Sequence, residues 1–225
     1  CFKWTHTVQY WSTMENTMRL VSDAFTDNQP IPGVFAFAVI ADPGPIALST
    51  NRNPHLAWHD APAGTGSFAL IVVDPDVPSV GDDVNQAGKT IATDLPRVEF
   101  SHWLVANLPA SVTEIAAGSF SNAVTARGKR APGPFGSVQG LNDYTGWFAG
   151  DAEMAGDYHG YDGPCPPWND ARMHHYRFTV YALSVTQLTL PERFTRADLQ
   201  AAMHGHVLAS ATLTGLYTLN PALTY

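Results

Sequence analysis

The hydrophobic positions of this chain fall in short runs, and where a period can be read it is two rather than 3.6, the pattern of strands with covered faces. Phe68–Val73 (FALIVV) is uninterrupted apolar sequence of strand length that stops at DPDVP, where Pro75 and Pro78 lack the amide hydrogens a ladder needs. Asp74 and Asp76 are therefore expected at a strand end. In Ser101–Pro109 (SHWLVANLP) alternation predicts His102, Leu104, Ala106 and Leu108 on one face and Trp103 and Val105 on the other. His174–Leu183 (HHYRFTVYAL) alternates likewise, with His174, Tyr176, Phe178 and Val180 pointing one way and His175, Arg177, Thr179 and Tyr181 the other. Thr195–His204 (TRADLQAAMH) reads as a short helix, with Thr195 as N-cap and Asp198 closing a capping box. After Gly205, Val207, Ala209, Ala211 and Leu213 share one side, which predicts a closing strand. Residues 111–167 carry glycines, prolines and aromatics without a dominant period, which marks them as a source of ligand loops.

Composition narrows the class. The 17 prolines and 18 glycines fit a sheet-rich protein with long loops and few helices. At 225 residues and 45% hydrophobic, the chain has the material for one core, and no internal repeat asks for more. We expect a single domain over 18–225, preceded by an extension or expression remnant at 1–17, where no period is legible. Cys1 also fits the acylated residue of a processed lipoprotein, so a periplasmic or lipid-anchored location stays open beside the expected cytoplasmic one. The formal charge of -8 has the wrong sign for long-range attraction to nucleic acid or an anionic bilayer. No apolar stretch approaches the roughly 18 residues of a membrane span. Cys1 and Cys165 allow at most one disulfide, and Cys165, between prolines, reads as an inert packed thiol.

The chemistry-bearing residues cluster at strand boundaries: Asp74 and Asp76 in DPDVP, His102 in SHWLV, and His174 with His175 in HHYRF, the last preceded by GYDGPCPP (Gly160–Pro167). If those strands are neighbours, Asp and His side chains converge while backbone N–H groups near Gly163 add donors, an arrangement suited to a small anion. A carboxylate beside an imidazole raises the imidazole pKa, so His102 or His174 would then be cationic and grip phosphate. The bland alternatives carry weight: D-P-D aspartates commonly form turns, and a histidine on an apolar strand is commonly a satisfied core residue. His174 and His175 lie on opposite faces, so one of them is expected at the surface. A metal site can be drawn from Asp74, His102 and His174, but such a set is cheap among nine histidines and 20 carboxylates, and neither metal nor cofactor is expected. No G-x-S-x-G elbow is present. Arg127, Lys129 and Arg130 form the tightest basic cluster and read as a solvated loop.

From about Met18 to Leu219 these features together resemble the phosphatidylethanolamine-binding protein family, in its bacterial Raf-kinase-inhibitor-like branch. The resemblance is carried, in order, by LAWHDAPAGTGSFALIVVDPDVP (Leu56–Pro78), FSHWLVANLPA (Phe100–Ala110), QGLNDY (Gln139–Tyr144), GYDGPCPP, HHYRFTVYAL and HVLASATLTGLY (His206–Tyr217). It implies a mainly β fold, a large central antiparallel sheet on a smaller sheet with few short helices, and a cavity that accepts phosphate, acetate or similar anions. The ligand-binding residues it implies are Asp74, Asp76, His102, Gly163, Pro164, His174 and Tyr176. His175 stands where the family usually has Arg. The stretch Thr145–His159 is longer than the compact form of that loop and carries Trp147, Phe148, Met154 and Tyr158 as material for a lid or a dimer contact. The extra C-terminal helix of eukaryotic members does not appear, which puts their kinase or lipid regulation in doubt here.

The expected function is a binding protein that holds a phosphate or carboxylate group of a phospholipid headgroup, a phosphometabolite or a phosphorylated partner. The alternatives are a kinase or protease inhibitor acting through surface loops, and an acid-base enzyme using the same Asp/His pocket. Expected partners are a small anionic ligand, a protein such as a kinase or protease, and a second copy in a homodimer; nucleic acid is not expected.

Overall fold

The computed structural model describes residues 17–225; the expected extension at 1–17, Cys1 included, lies outside the described residues except for Thr17. In chain order the strands are β1 (Arg19–Val21), β2 (Gln29–Pro30), β3 (Ala38–Ile40), β4 (Ile46–Leu48), β5 (Leu56–His59), β6 (Ser67–Pro78), β7 (Arg97–Pro109), β8 (Glu114–Ile115), β9 (Val138–Gln139), β10 (His174–Leu183) and β11 (Val207–Tyr217). A six-stranded sheet runs β2-β11-β10-β6-β7-β9, a three-stranded sheet β1-β5-β8, and β3 and β4 form a hairpin. Pairing is antiparallel throughout, apart from the short parallel contact of β2 with β11. The fold is mainly β, as expected.

The large sheet is buried on both faces, which explains why Phe68–Val73 shows no alternation. Phe68, Leu70 and Val72 of β6 and Tyr176, Phe178, Val180 and Ala182 of β10 pack against Leu20, Leu56, Trp58 and Ile115 of the small sheet. Ala69, Ile71 and Val73 face the other way, onto Leu199 and Met203 of helix α2 (Arg196–Met203). The sequence places two apolar residues at a spacing of four on that helix, and the capping box forms as expected: Thr195 and Asp198 exchange side-chain and backbone bonds. One helical turn (Tyr144–Trp147) arises within the irregular region and was not expected.

Strict alternation fails on β7, and the failure matters. Trp103 pairs with Val72 but Ser101 pairs with Val73, so His102 is an extra residue, a β-bulge. A one-residue slip moves a side chain to the other face. His102 therefore sits with Trp103 on the small-sheet side, not with Leu104 and Ala106. A second bulge at Asn107, whose φ is 61°, does the same for Leu108. On β6, Asp74 pairs with Phe100 and Val77 with Val98, leaving Pro75 and Asp76 opposite Glu99 alone. That bulge turns Asp76 away from Asp74's side, toward His175.

Candidate functional site

Beside the ends of β6, β7 and β10 lies a cavity of about 480 Å³. Its inner end is made by Asp74, His102 and Tyr176, all buried, with Tyr144 and Phe100 against them. Parity along β6 and β10 delivers Asp74 and Tyr176, and the β7 bulge delivers His102. The His102 ring meets Tyr176 edge to face, centroids 5.1 Å apart, and Tyr144 at 5.5 Å. The remaining wall is apolar apart from Asn85: Phe37, Ile46 and Leu48 near the β3–β4 hairpin, Val77 at the end of β6 and Val84 beyond it, Cys165–Pro167, and Trp147, Phe148 and Met154 from the long loop. Phe37 stacks on Tyr144, which stacks on Phe148, at 4.7 and 5.6 Å. Leu48 and Trp147 are 64% and 55% exposed, so the mouth is open to solvent and greasy. Tyr158, expected at the mouth, is fully buried behind Phe148 instead.

Behind the inner end runs a chain of alternating charge. Arg97 grips Asp170 with both terminal nitrogens, at 2.5 and 3.1 Å. His174 lies between two carboxylates, its Nε2 3.1 Å from Asp170 and its Nδ1 2.6 Å from Asp74. Burial opposes a charge on His174, but the two carboxylates outweigh it together and raise its pKa to about 9. Asp74 is likewise desolvated, yet its carboxyl stays below the ordinary value because His174 and the Asp76 amide bond to it. At neutral pH both ring nitrogens of His174 therefore donate to protein, and the ring does not line the cavity. It holds Asp74 ionised and in place rather than facing a ligand.

His102 is the opposite case. Burial lowers its pKa in spite of Asp74 nearby, and its Nδ1 bonds the Asp162 carbonyl at 2.7 Å. A carbonyl only accepts, so the proton of the neutral ring is on Nδ1 and Nε2 carries the lone pair. Of the two histidines either of which was expected to be cationic, His174 carries the charge and His102 is neutral. Tyr176 holds its hydroxyl buried beside Asp74 with no hydrogen-bond partner of good geometry among the described residues. Burial first, and the Asp74 charge second, push its pKa well above the ordinary tyrosine value.

The other expected site residues stand outside the cavity wall. Asp76 accepts from the His175 amide and Nδ1 and pairs with Arg172 at the surface. Gly163 gives its amide hydrogen to Asn51 Oδ1, so it is no donor for an anion, and Pro164 has none to give. Gly163 is required for a different reason: a Cβ there would lie 2.1 Å from the Phe35 carbonyl oxygen. Of the basic cluster, Arg127 and Arg130 are exposed and only Lys129 departs from the solvated-loop expectation. Lys129 is no solvated cation but a 2.6 Å ion pair with the fully buried Asp162, which also accepts from Asn51 and Asn142. Nothing singled out Asp162 in the sequence; a carboxylate between Tyr161 and Gly163 in so apolar a loop was the available signal. Among the described residues no group of His, Cys, Asp and Glu is placed to hold a metal ion.

Comparison with known proteins fits this architecture. The family model described as phosphatidylethanolamine-binding protein matches residues 21–218. The chain belongs to the phosphatidylethanolamine-binding protein family. A family relative, a UPF0098 protein of Aquifex aeolicus, is 32% identical over 200 residues, 89% of this chain and 88% of its own. YbhB of Escherichia coli K12 is 30% identical over 201 residues, 89% of this chain and all of its own. Among solved structures, YbcL of Escherichia coli, described as a member of the mammalian PEBP family, superposes with a TM-score of 0.63 at 27% identity. That match covers 89% of this chain and 98% of YbcL. The homologue CT736 of Chlamydia trachomatis gives 0.62 at 30% identity, covering 90% and 97%. No helix among the described residues is long and apolar enough to cross a membrane.

Proposed function

We propose that this family member binds a small amphiphilic molecule, seating an anionic end, phosphate or carboxylate, against His102, Tyr176 and Asp74 and an apolar body along the aromatic wall. The observation that carries this is the Tyr176 hydroxyl, buried beside Asp74 at the inner end of the cavity with no hydrogen bond of good geometry among the described residues. An unmatched buried hydroxyl costs about 1–3 kcal/mol, and a ligand oxygen that accepts from it removes the cost. His102, whose Nδ1–H is committed to the Asp162 carbonyl, lines the cavity beside it and leaves Nε2 as an acceptor. The volume of about 480 Å³ exceeds what a bare phosphate fills, and its wall of Phe37, Phe100, Phe148 and Trp147 suits a hydrophobic body.

Phenyl phosphate is a direct probe. Calorimetric titration at pH 6 should show saturable binding at one site, weakened at least fivefold in Tyr176→Phe and abolished in His102→Ala, with both variants keeping the native circular dichroism spectrum. Equal affinity in wild type and Tyr176→Phe, or no saturation by phenyl phosphate, inorganic phosphate and benzoate alike, overturns the proposal.

A further inference from the structure

The inner end of the cavity is rich in acceptors and poor in donors. Each oxygen of Asp74 already accepts one bond, from the Asp76 amide at 2.8 Å and from His174, and each keeps a lone pair. His102 presents Nε2 as a lone pair because Nδ1–H is committed to the Asp162 carbonyl. Tyr144 gives its hydroxyl hydrogen to the Gly163 carbonyl at 2.9 Å. Tyr176 is left as the hydroxyl with a hydrogen to give. Charge does not help a bare anion either: Arg97, Asp170, His174 and Asp74 alternate in sign, so no excess positive charge stands behind Asp74.

A fully ionised phosphate only accepts, and here it would meet a carboxylate and an imidazole lone pair. We infer that the cavity selects ligands whose polar end carries an acidic hydrogen as well as acceptor oxygens: a singly protonated phosphate monoester, or an undissociated carboxylic acid. The ligand's O–H is directed at Asp74 or His102 Nε2 while another of its oxygens accepts from Tyr176. This deepens the proposed function and rests on it. A monoester that is a dianion in bulk water takes up one proton as it docks, and no other bond changes. A phosphodiester, the chemistry of a phospholipid headgroup, has no such hydrogen near neutral pH and is disfavoured.

The groups around His102 support that proton balance. Asp74 from β6, Asp143 beside the turn Tyr144–Trp147 and Asp162 from the loop before Cys165 all place negative charge near the ring, and burial outweighs them. Tyr144 and Tyr176 face it as neutral phenols. The cations Lys129 and His174 are bound to Asp162 and to the Asp74 and Asp170 pair. An arriving proton thus meets the negative charge of Asp74, Asp143 and Asp162.

Two measurements on the wild-type protein test the inference. A phosphate monoester has its second pKa near about 6, so at pH 8 phenyl phosphate is almost wholly the dianion. Titration at pH 8 in buffers of differing ionisation heat should report uptake of close to one proton per ligand, with affinity falling about tenfold per pH unit between pH 7 and 8.5. Methyl phenyl phosphate, a diester with no hydrogen to give, should bind at least tenfold more weakly than phenyl phosphate at pH 6. Proton uptake near zero with pH-independent affinity, or a diester that binds as well as the monoester, overturns the inference while leaving anion binding intact. No binding of phenyl phosphate at either pH overturns the binding proposal itself.

Discussion

His174 has its ring buried between Asp74 and Asp170, and that position makes it a stability element with a definite pH signature. Its folded pKa of about 9 lies above the ordinary 6.5, so its contribution is complete below pH 6.5 and is lost as pH rises toward 9. The shift corresponds to about 3 kcal/mol. Asp74 and Asp170 are depressed below the ordinary 3.8, so their contribution is present above that value and lost as pH falls below it. Urea unfolding should therefore show stability lost as pH rises from 6.5 toward 9; flat stability from pH 6.5 to 9 would exclude a charged His174. Tyr176→Phe removes a buried hydroxyl that stands beside Asp74 without a hydrogen bond of good geometry among the described residues, so the ligand-free protein should become about 1 kcal/mol more stable, read as a higher urea midpoint. A lower midpoint would mean that the hydroxyl is satisfied in the free protein.

At the scale of elements, three irregular segments are tied together through Asp162. Lys129, Asn51 and Asn142 all bond its carboxylate, and its own backbone N–H and carbonyl bond the His102 carbonyl and Nδ1. Burial raises the Asp162 pKa even with Lys129 attached, so the pair is costly to break. Lys129→Met leaves a buried carboxylate without its cation and should destabilise by about 3 kcal/mol or more in chemical denaturation. The double variant Lys129→Met, Asp162→Asn should recover part of that loss, because it removes the orphaned charge; no recovery would contradict this account of the pair. Period-two reading found β7, β10 and β11, an uninterrupted apolar run marked β6, and the capping box with helix-forming residues marked the helix. It misplaced His102 and Leu108 because a bulge inserts one residue and leaves no mark in the hydrophobic pattern. Asp162, Asp170 and Arg97 stayed hidden for a related reason: they meet through loops and strand ends, where sequence spacing says nothing about distance.

For the whole molecule, the sheets supply the buried inner end of the cavity and the loops much of its apolar, exposed mouth. Asp74 was legible as a candidate because DPDVP ends a strand, and Tyr176 through the family resemblance; the bonds of His174 and Gly163 to buried groups were not, since such pairing depends on the tertiary fold. Trp147 is half exposed and reaches the cavity from the long loop, so Trp147→Ala should leave the thermal midpoint unchanged. The same change should weaken phenyl phosphate several-fold without altering inorganic phosphate affinity, since only the apolar body touches that wall; equal losses for both would place Trp147's role elsewhere. The central claim is that His102 and Tyr176, not His174, meet the ligand. Its most direct test is the two-dimensional proton–nitrogen spectrum of the histidine rings at pH 7, recorded as phenyl phosphate is added. The account predicts a His102 Nε2 signal that starts at the unprotonated position and moves with saturation, while both His174 nitrogens remain protonated and still. A His102 signal that does not move at saturating ligand, or a His174 signal that moves in its place, would contradict it.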